Sequence, residues 1–396
     1  MNSARPIGLA CCAALRSRAL PFVCISVLLV SSAACAGYGA RQGTAIAHPS
    51  LLLEHIWSVL LNDDDISWES RGLEYASGGL GGNGMVYYGN REGRLVALLE
   101  SDGSLAWSFE RMGPFVGAPV RQGGRLFVAG VNGYVYALEA ATGVLLWEFD
   151  TGAPIESAVA VQGEHLAVVN SLNRVFLLEL RSGDFIWRKE RGKVKDFTLF
   201  GHASPVFYGD SLIAAFSDGW VVAYALSDGA TLWAQELSAG KTRYRDVDAL
   251  HLAGERLYAA SYAGGLYALS PEDGEPVWWR ELEGVRSIQS DRRTLYFSSI
   301  EGVHAASMSD GRDLWLKPLS DDSAASRLVL GEEYLYLGLQ RTGLLMLNRA
   351  TGRTAALFDP GSGVSAPVLL DQGRAYVLSN RGRLYALSVQ DAPLAM

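Results

Sequence analysis

The sequence repeats one pattern eight times, and this repetition limits the possible folds more than any other feature. The clearest copy spans residues 125–152, RLFVAGVNGYVYALEAATGVLLWEFDTG, where runs of alternating apolar residues are separated at Asn132-Gly133 and at Thr142-Gly143. β-branched and aromatic residues favour pleated strands, and glycine adopts the positive φ of hairpin turns without strain. Each copy therefore predicts a small antiparallel sheet that needs neighbouring copies to bury its faces.

The strand that ends the second run of each copy is the easiest part of the repeat to align. It reads Tyr-Ala-Leu or a variant of it, beginning at Val96, Tyr136, Phe176, Tyr224, Tyr267, His304, Leu345 and Tyr385. In six copies a glycine then stands four residues before a tryptophan, as at Gly143 and Trp147. The seventh copy has Ala356 in place of this tryptophan, and the eighth ends before a last strand.

The two incomplete ends of the repeat complement each other. Residues 55–61, HIWSVLL, resemble a last strand with Trp57 in the tryptophan position, yet no first three strands precede them. We therefore predict an all-β fold, an eight-bladed β-propeller of four-stranded antiparallel blades, closed by the N-terminal strand that completes the C-terminal blade. The recurring tryptophans are predicted to pack between blades rather than to bind a ligand.

Residues 1–35 have the pattern of an export signal. Three arginines accompany the apolar run 22–30, which is too short to cross a bilayer, and no acidic residue occurs before Glu54. The Ser-Ala-Ala sequence before Cys35 approximates a lipobox and predicts a lipidated cysteine. Cleavage after Ala36, at an Ala-x-Ala site, is the alternative and would give ordinary secretion.

The predicted division of the chain follows from the signal and the repeat. It comprises a signal peptide at 1–35, a polar tether at 36–50, the propeller at 51–390 and a C-terminal tail at 391–396. A lipid on Cys35 would anchor the protein to the outer membrane at its periplasmic face. Without the lipid, the protein would be periplasmic.

The charge of the mature chain argues against nucleic acid as a partner. The full sequence has 34 basic and 42 acidic residues, and the signal peptide holds three of the arginines and none of the acids. The mature chain therefore keeps 31 basic residues and a formal net charge of −11. Affinity for nucleic acid depends on neutralising phosphates with positive charge, so we predict no nucleic-acid partner.

The residue types that carry catalysis or metal binding are not arranged for either task. All four cysteines lie within residues 1–35, which excludes disulfides, thiolate metal sites and cysteine nucleophiles from the propeller. The histidines lack metal-ligand spacing, and the acidic run at 63–65 does not match a calcium loop. His304 takes an aromatic position of the repeat and is predicted to be packed in the core. The sequence therefore predicts a protein that is not an enzyme and has no metal and no cofactor.

Two connections between repeats are longer than the others. Turn glycines are 40 residues apart in the early repeats, whereas 46 residues separate Gly183 from Gly229 and 45 separate Gly229 from Gly274. The added residues fall at about 188–205 and 234–249, each between the last strand of one blade and the first strand of the next. They are predicted to be neighbours on one rim and to form a protein-binding patch. In the alternative, their aromatic residues fold back onto the blades.

The repeat as a whole, with its glycine turn, Tyr-Ala-Leu, Asp/Thr-Gly and tryptophan, resembles the PQQ-like repeat of eight-bladed quinoproteins. This resemblance leaves a PQQ-binding quinoprotein-type dehydrogenase, or a ligand-binding propeller of the periplasm, as the alternative function. The quinoprotein alcohol dehydrogenases cover their cofactor with a vicinal disulfide, which a propeller without cysteine cannot form. No sequence pattern indicates a ligand in the central channel.

Residues 243–248, RYRDVD, and residues 197–201, FTLFG, carry the most specific resemblance. They resemble the R-x-x-D-V-D and L-x-L-R-G loops of the BamB family, the propeller lipoproteins of the outer-membrane β-barrel assembly machinery. The resemblance implies a non-catalytic periplasmic scaffold that docks to a POTRA domain of the BamA-type subunit, with unfolded outer-membrane protein clients as further partners. The partner-binding residues that it implies are Phe197, Leu199, Phe200, Arg243, Asp246 and Asp248. Phe200 stands where the family has arginine, which leaves room for a divergent partner surface.

Overall fold

Each repeat of the sequence folds into strands of one antiparallel sheet. The computed structural model describes residues 51–61, 74–80, 82–192, 203–237, 240, 244–319 and 325–391. Over these ranges the strands form eight four-stranded sheets, which are the blades of a β-propeller. The predicted all-β, eight-bladed fold is confirmed. Within the same ranges, no apolar helix has the length needed to cross a membrane.

The strands are numbered in chain order, beginning with β1 (Leu51–Leu60). Blade 1 comprises β2 (Gly78–Leu80), β3 (Met85–Gly89), β4 (Arg94–Leu99) and β5 (Leu105–Glu110), and blade 2 comprises β6 (Val120–Gln122), β7 (Arg125–Ala129), β8 (Tyr134–Glu139) and β9 (Leu145–Asp150). Blade 3 comprises β10 (Ala160–Gln162), β11 (His165–Asn170), β12 (Arg174–Glu179) and β13 (Phe185–Glu190), and blade 4 comprises β14 (Val206–Tyr208), β15 (Ser211–Ala215), β16 (Trp220–Ala225) and β17 (Thr231–Glu236). Blade 5 comprises β18 (Val247–Ala253), β19 (Arg256–Ser261), β20 (Gly265–Leu269) and β21 (Pro276–Arg280), and blade 6 comprises β22 (Ser287–Ser290), β23 (Thr294–Ser299), β24 (Gly302–Ser307) and β25 (Asp313–Pro318). Blade 7 comprises β26 (Val329–Leu330), β27 (Tyr334–Leu339), β28 (Gly343–Asn348) and β29 (Thr354–Phe358), and blade 8 contains β30 (Leu369–Asp371), β31 (Arg374–Leu378) and β32 (Arg383–Asp391) together with β1.

Blade 8 is built from both ends of the described chain. β1 pairs antiparallel with β32 from Leu51 opposite Asp391 to Leu60 opposite Arg383, with a bulge between His55 and Trp57. The strand order of this sheet is β1-β32-β31-β30, so the N-terminal strand takes the outermost position. The predicted closure of the ring is confirmed. It leaves no gap between the first and the last blade, where edge strands would otherwise be open.

Burial decreases from the middle strands of a blade to its outermost strand. Four of the five residues of β7 are buried, whereas β9 at the outer edge of the same blade is exposed at alternating positions. Side chains of a strand point alternately to its two faces, so each blade buries both faces against its neighbours. Phe127 of blade 2, for example, shares a core cluster with Leu166 and Val168 of blade 3. The short first strands, such as β18, β22 and β26, lie next to one another around the axis.

The recurring tryptophans join each blade to the next. The indole N–H of Trp107 in blade 1 donates a hydrogen bond to the carbonyl oxygen of Ala140, in the last turn of blade 2, at 3.1 Å. The same bond, at 2.9–3.2 Å, is made by Trp57, Trp147, Trp187, Trp233, Trp278 and Trp315 to the corresponding turn of the next blade. Each ring covers the turn glycine so closely that an added Cβ would lie less than 3.0 Å from it. The predicted packing role of these tryptophans is confirmed.

Among the described blades, blade 7 lacks this tryptophan, and blade 8, against which it packs, lacks the glycine turn before its outermost strand. Ala356 of β29 is buried against blade 8, where β32 and β1 are joined by pairing and not by a hairpin. A tryptophan at position 356 would therefore have no glycine turn to cover. The alanine is explained by the closure of the ring.

The contact between Gly143 and Trp107 gives a test of this packing. A Cβ at Gly143, which has a φ of +72°, would lie 2.5 Å from the Trp107 ring. We expect Gly143→Ala to cost about 1–2 kcal/mol for the left-handed backbone and a further ~1–3 kcal/mol for overpacking, measured by urea unfolding. Gly123→Ala is the matched control, because Gly123 has a φ of +58° and nothing within 4 Å of the added Cβ. An equal decrease in the free energy of unfolding for the two variants would mean that the contact between Gly143 and Trp107 is not tight.

Candidate partner-binding rim

The two long connections lie on the same face of the propeller. One joins β13 of blade 3 to β14 of blade 4, and the other joins β17 of blade 4 to β18 of blade 5. Because every blade is a meander of four strands, the connections between blades share one face with the turns between second and third strands. Phe197, Leu199, Phe200 and Arg243 lie outside the described residues, as do Cys35 and the acidic run at 63–65.

The described end of the second connection is fixed to blade 5 along its backbone. The N–H of Ala263 donates to the carbonyl oxygen of Tyr244 at 3.0 Å, and the N–H of Tyr262 donates to that of Asp246 at 3.2 Å. The Ser261 hydroxyl donates to the carbonyl oxygen of Arg245 at 2.9 Å. Three successive residues are thus held against the turn between β19 and β20. A loop anchored in this way presents its side chains in fixed positions.

Tyr244 is the side chain that this anchored segment exposes. It has a φ of +54°, which is unusual for a residue with a side chain, and 48% of its surface is exposed. Its ring packs edge-on against Tyr262, with 6.1 Å between the ring centroids. Other large apolar residues exposed on the same face include Leu172 in blade 3 and Ile300 in blade 6, which flank this segment. We call Leu172, Tyr244 and Ile300 the rim residues.

Asp246 and Asp248 lie beneath the rim and not on its surface. Their exposed fractions are 2% and 7%. The pairing register between β18 and β19 shifts between Val247 and Ala249, so Asp248 is the extra residue of a β-bulge. Sequence reasoning missed this burial, because alternation along a regular strand does not reveal a bulge. Any contribution of the two carboxyl groups to docking must therefore act from within the blade.

The environment of Asp248 favours its neutral form. Burial raises its pKa to about 8, and the nearby charge of Asp246 acts in the same direction, while Arg286 and Arg327 oppose the shift. Neither carboxyl oxygen of Asp248 has a hydrogen-bond partner among the described residues. Desolvation costs an ionised carboxylate more than a carboxylic acid, so this group is largely protonated at neutral pH.

The charges of Arg286 and Arg327, in the next two blades, act on Asp248 without forming an ion pair with it. Arg286 directly precedes β22 of blade 6, and Arg327 stands two residues before β26 of blade 7. We call Asp246, Asp248, Arg286 and Arg327 the axial cluster, since all four lie at the inner strands. The sequence did carry a signal for it. The corresponding positions before β6 and β10 hold only small residues, Gly117-Ala118 and Ser157-Ala158.

His304 belongs to a separate network that joins two blades. Its ring is fully buried, stacks on Phe297 at 4.6 Å, and is hydrogen-bonded to Ser299 at 2.8 Å and to Asp313 at 3.1 Å. Arg280 of blade 5 holds the same Asp313 through two bonds of 2.6 Å. Burial lowers the pKa of His304, which keeps the ring neutral. The expected packed histidine is confirmed. Ser299, His304 and Asp313 form one hydrogen-bonded chain in blade 6, and Arg280 links this chain to blade 5.

No metal centre is formed by the part of the chain that the structure describes. Within it, no three side chains of histidine, cysteine, aspartate or glutamate are grouped so that they could hold a metal ion. On the face opposite the rim, a depression of about 660 Å³ is lined by Asp291, Arg292, Arg293, Thr294 and Arg349. Asp291 and Arg349 approach each other to 3.9 Å there. The rim and the axial cluster therefore remain the candidate sites.

The protonation of Asp248 predicts how stability depends on pH. Its folded pKa, about 8, is above the unfolded value of about 3.9, so folding takes up a proton between these values. The associated stability is fully present below pH 4 and is lost as pH rises to 8. We expect Asp248→Asn to remove this loss and to be more stable than wild type at pH 8, on the order of a few kcal/mol. Urea unfolding from pH 4 to 9 measures the difference.

An exposed carboxylate supplies the control for that series. Glu164 is exposed, and Glu164→Gln should follow the wild-type pH dependence. Parallel curves for wild type and Asp248→Asn would show instead that Asp248 is ionised in the folded protein.

Comparison with known proteins agrees with the repeat and with the fold. The family model PQQ_2, described as outer membrane protein assembly factor BamB, matches residues 54–129, 112–317 and 301–395. BamB of Salmonella typhimurium is 28% identical over 345 residues, which cover 85% of this chain and 77% of that protein. BamB of Pseudomonas aeruginosa is 29% identical over 209 residues, or 49% of this chain. These matches span about half the length of some curated relatives, 53% for the Pseudomonas aeruginosa protein and 50% for that of Legionella pneumophila.

Solved structures show the same fold at lower sequence identity. BamB from Moraxella catarrhalis superposes with a TM-score of 0.72 at 20% identity, covering 85% of this chain and 100% of that one. A quinohemoprotein alcohol dehydrogenase from Comamonas testosteroni reaches 0.67 at 13% identity, covering 87% of this chain and 78% of that one. At such identities the likeness establishes the propeller alone. The family model, in contrast, matches nearly all of the described residues, and on that basis the chain belongs to the family of the outer membrane protein assembly factor BamB.

Proposed function

We propose that this protein is a non-catalytic periplasmic scaffold of the outer-membrane β-barrel assembly machinery. It docks to a POTRA domain of the BamA-type subunit through the rim formed by blades 4 and 5. The observation that carries the proposal is the match to the BamB family model over residues 54–395, across the whole ring of blades. The geometry of the rim supports the docking surface, and the relatives from Salmonella typhimurium and Pseudomonas aeruginosa carry the name of an assembly factor.

The rim has the properties of a preorganised docking surface. Its backbone is anchored by the bonds to Tyr262 and Ala263, so little conformational entropy is lost when Tyr244 is covered by a partner. Tyrosine is among the residues that dominate interface energies when they are buried on binding. Leu172 and Ile300 extend the exposed apolar surface to the blades on either side. Phe197, Leu199, Phe200 and Arg243 are the proposed contacts of the two long connections.

Asp246 and Asp248 support this surface from below. The backbone of Asp246 accepts the bond from Tyr262, and Asp248 forms the bulge that turns the connection into β18. Their side chains are buried, so we assign them to positioning the rim and not to direct contact. Their replacement would change the shape of the rim as well as its charge.

The outer strands offer a second surface, which suits unfolded outer-membrane protein clients. In each of the eight described blades the outermost strand exposes a large apolar side chain, namely Leu105, Leu146, Phe185, Leu232, Val277, Leu314, Leu357 and, in β1 of blade 8, Ile56. Each of these strands is also the open edge of its sheet, with backbone groups free to pair with an extended chain. An unfolded barrel strand has both the apolar side chains and the backbone groups to match.

Substitutions on the rim test the docking surface. We expect Tyr244→Ala to reduce recovery of the barrel-forming subunit about tenfold when the tagged protein is purified from gently solubilised membranes, since that corresponds to about 1.4 kcal/mol. A combined Phe197→Ala and Leu199→Ala variant should lose as much or more.

Leu314→Ala is the matched control for Tyr244→Ala. Leu314 is 62% exposed on the outer strand of blade 6, away from the rim, and its replacement should leave recovery of the subunit unchanged. Equal recovery from all variants would place the docking surface elsewhere. Failure of wild type to recover the subunit would contradict the proposed function itself.

The proposed lipid anchor is tested by Cys35. We propose that a lipid on Cys35 holds the propeller at the periplasmic face of the outer membrane through the polar tether at residues 36–50. Cys35→Ser should move the protein from the outer-membrane fraction to the soluble periplasmic fraction and abolish labelling with radioactive palmitate. Retention in the membrane without label would point to anchoring by the partner.

A further inference from the structure

We infer that the axial cluster is a binding site for a small oxyanion, a carboxylate or phosphate group held by Arg286, Arg327 and the carboxyl group of Asp248. The site goes beyond docking at the rim, because it lies at the inner strands. Three consecutive blades build it, which gives it a fixed geometry.

The fold brings these residues together around the propeller axis. β18 contacts β22 and β22 contacts β26, so the starts of the three strands lie in the same part of the propeller. The charge of Asp248 acts on Arg286 and on Arg327, although they belong to different blades. Burial lowers the pKa of Arg286, and the opposing influences come from Tyr262 and Asp248 of blade 5 and from Tyr75 of blade 1. Blade 1 is not adjacent to blade 6, so the influence of Tyr75 on Arg286 acts across the axis.

Arg327 marks the opening of the site to water. The side chain is exposed to solvent, yet the surrounding protein lowers the pKa of its guanidinium through burial. The two observations agree for a side chain that reaches solvent although protein surrounds it closely. A ligand that enters from solvent would meet Arg327 first.

Asp248 supplies the observation that calls for a ligand. It is more than nine-tenths buried, and neither of its carboxyl oxygens has a partner among the described residues. A buried polar group without a hydrogen bond destabilises the folded state, and a ligand that bonds to it recovers this free energy. The hydroxyls of Ser157 and Ser365, before β10 and β30, are also buried without a partner, but Asp248 is the carboxyl group among these three. Ser287, in contrast, accepts a bond from the N–H of Leu328 at 3.1 Å.

The charge balance of the cluster selects an anion over a cation. With Asp248 protonated, the two guanidinium groups outweigh the single negative charge of Asp246, and a carboxylic acid can donate its proton in a hydrogen bond. Guanidinium groups match the oxygens of carboxylates and phosphates in pairs, and the bonds are strengthened by charge. The charged groups that act on Asp248 are Asp246 on its own element, Arg286 of blade 6 and Arg327 of blade 7.

Binding of acetate and of inorganic phosphate to the purified mature protein tests the inference by calorimetry. We expect saturable binding of at least one anion at pH 7, and Arg327→Gln should weaken it tenfold or more. Arg293→Gln removes the same charge from an exposed arginine in the depression on the opposite face, and should leave the affinity within twofold of wild type. Equal weakening by both variants, or no saturable binding of either anion, overturns the site. Unfolding by urea confirms that both variants are folded.

The pH dependence separates this site from general electrostatic attraction. Acetate remains a monoanion from pH 6 to 9.5, so changes in its affinity over that range report on the protein. Affinity should fall as pH rises through about 8, because Asp248 then loses the proton that it donates and becomes an anion. Asp248→Asn keeps a donor without the charge, and its affinity should stay level. The same decline in Asp248→Asn would exclude Asp248 from the site.

A pair of peptides distinguishes the two sources of a carboxylate. A short peptide with a free carboxyl terminus and its C-terminal amide differ only in the oxyanion. Preference for the free peptide over acetate assigns the site to chain ends, and stronger binding of acetate or phosphate assigns it to small anions. Equal binding of both peptides, together with no effect of Arg327→Gln, contradicts an oxyanion site. None of these outcomes depends on recovery of the barrel-forming subunit, so the proposed docking function is tested separately.

Discussion

A tryptophan ring laid over the glycine turn of the next blade is the contact on which this ring of sheets depends. Twisted sheets arranged around an axis splay apart toward the outside, and a large flat side chain fills the space that opens between them. The indole N–H donates to a carbonyl oxygen of the same turn, so the contact fixes orientation as well as distance. Glycine is required opposite the ring, since any side chain would occupy the position of the indole. Blade-to-blade geometry is thereby specified by two residue types.

The rigid frame separates two kinds of site. Tyr244 is displayed outward on a segment whose backbone is bonded to blade 5, and it can be varied without disturbing the core. Asp248 lies in a β-bulge at the start of β18 and is buried, and the charges of Arg286 and Arg327, from two other blades, act on it. A short acidic motif thus contributes to the support of an outer surface and to an inner cluster. The two roles are separable, because Arg286 and Arg327 belong to the inner cluster only.

The sequence was sufficient for the fold because each rule that shapes a blade is local. A glycine turn, an alternating strand and a tryptophan at fixed spacing recur in every copy, and Trp57 at the N-terminus revealed the closing strand. The site was only partly predictable. The spacing of the turn glycines located the long connections. The burial of Asp246 and Asp248 depends on a β-bulge, and no pattern in the sequence marks a bulge at this position. Arg286 and Arg327 stand where other repeats have small residues, but their grouping with Asp248 depends on the arrangement of three blades.

The closing strand has a consequence for the order of folding. Of the described strands β1 is synthesised first and β32 last, so the ring cannot close until nearly all of the propeller sequence is available. Pairing of segments so distant in sequence carries a large loop-closure cost and is slow. Until β32 is available, β1, which carries Trp57, has no strand with which to pair. The protein is therefore most exposed to aggregation just before completion, at the seam that later makes it a closed ring.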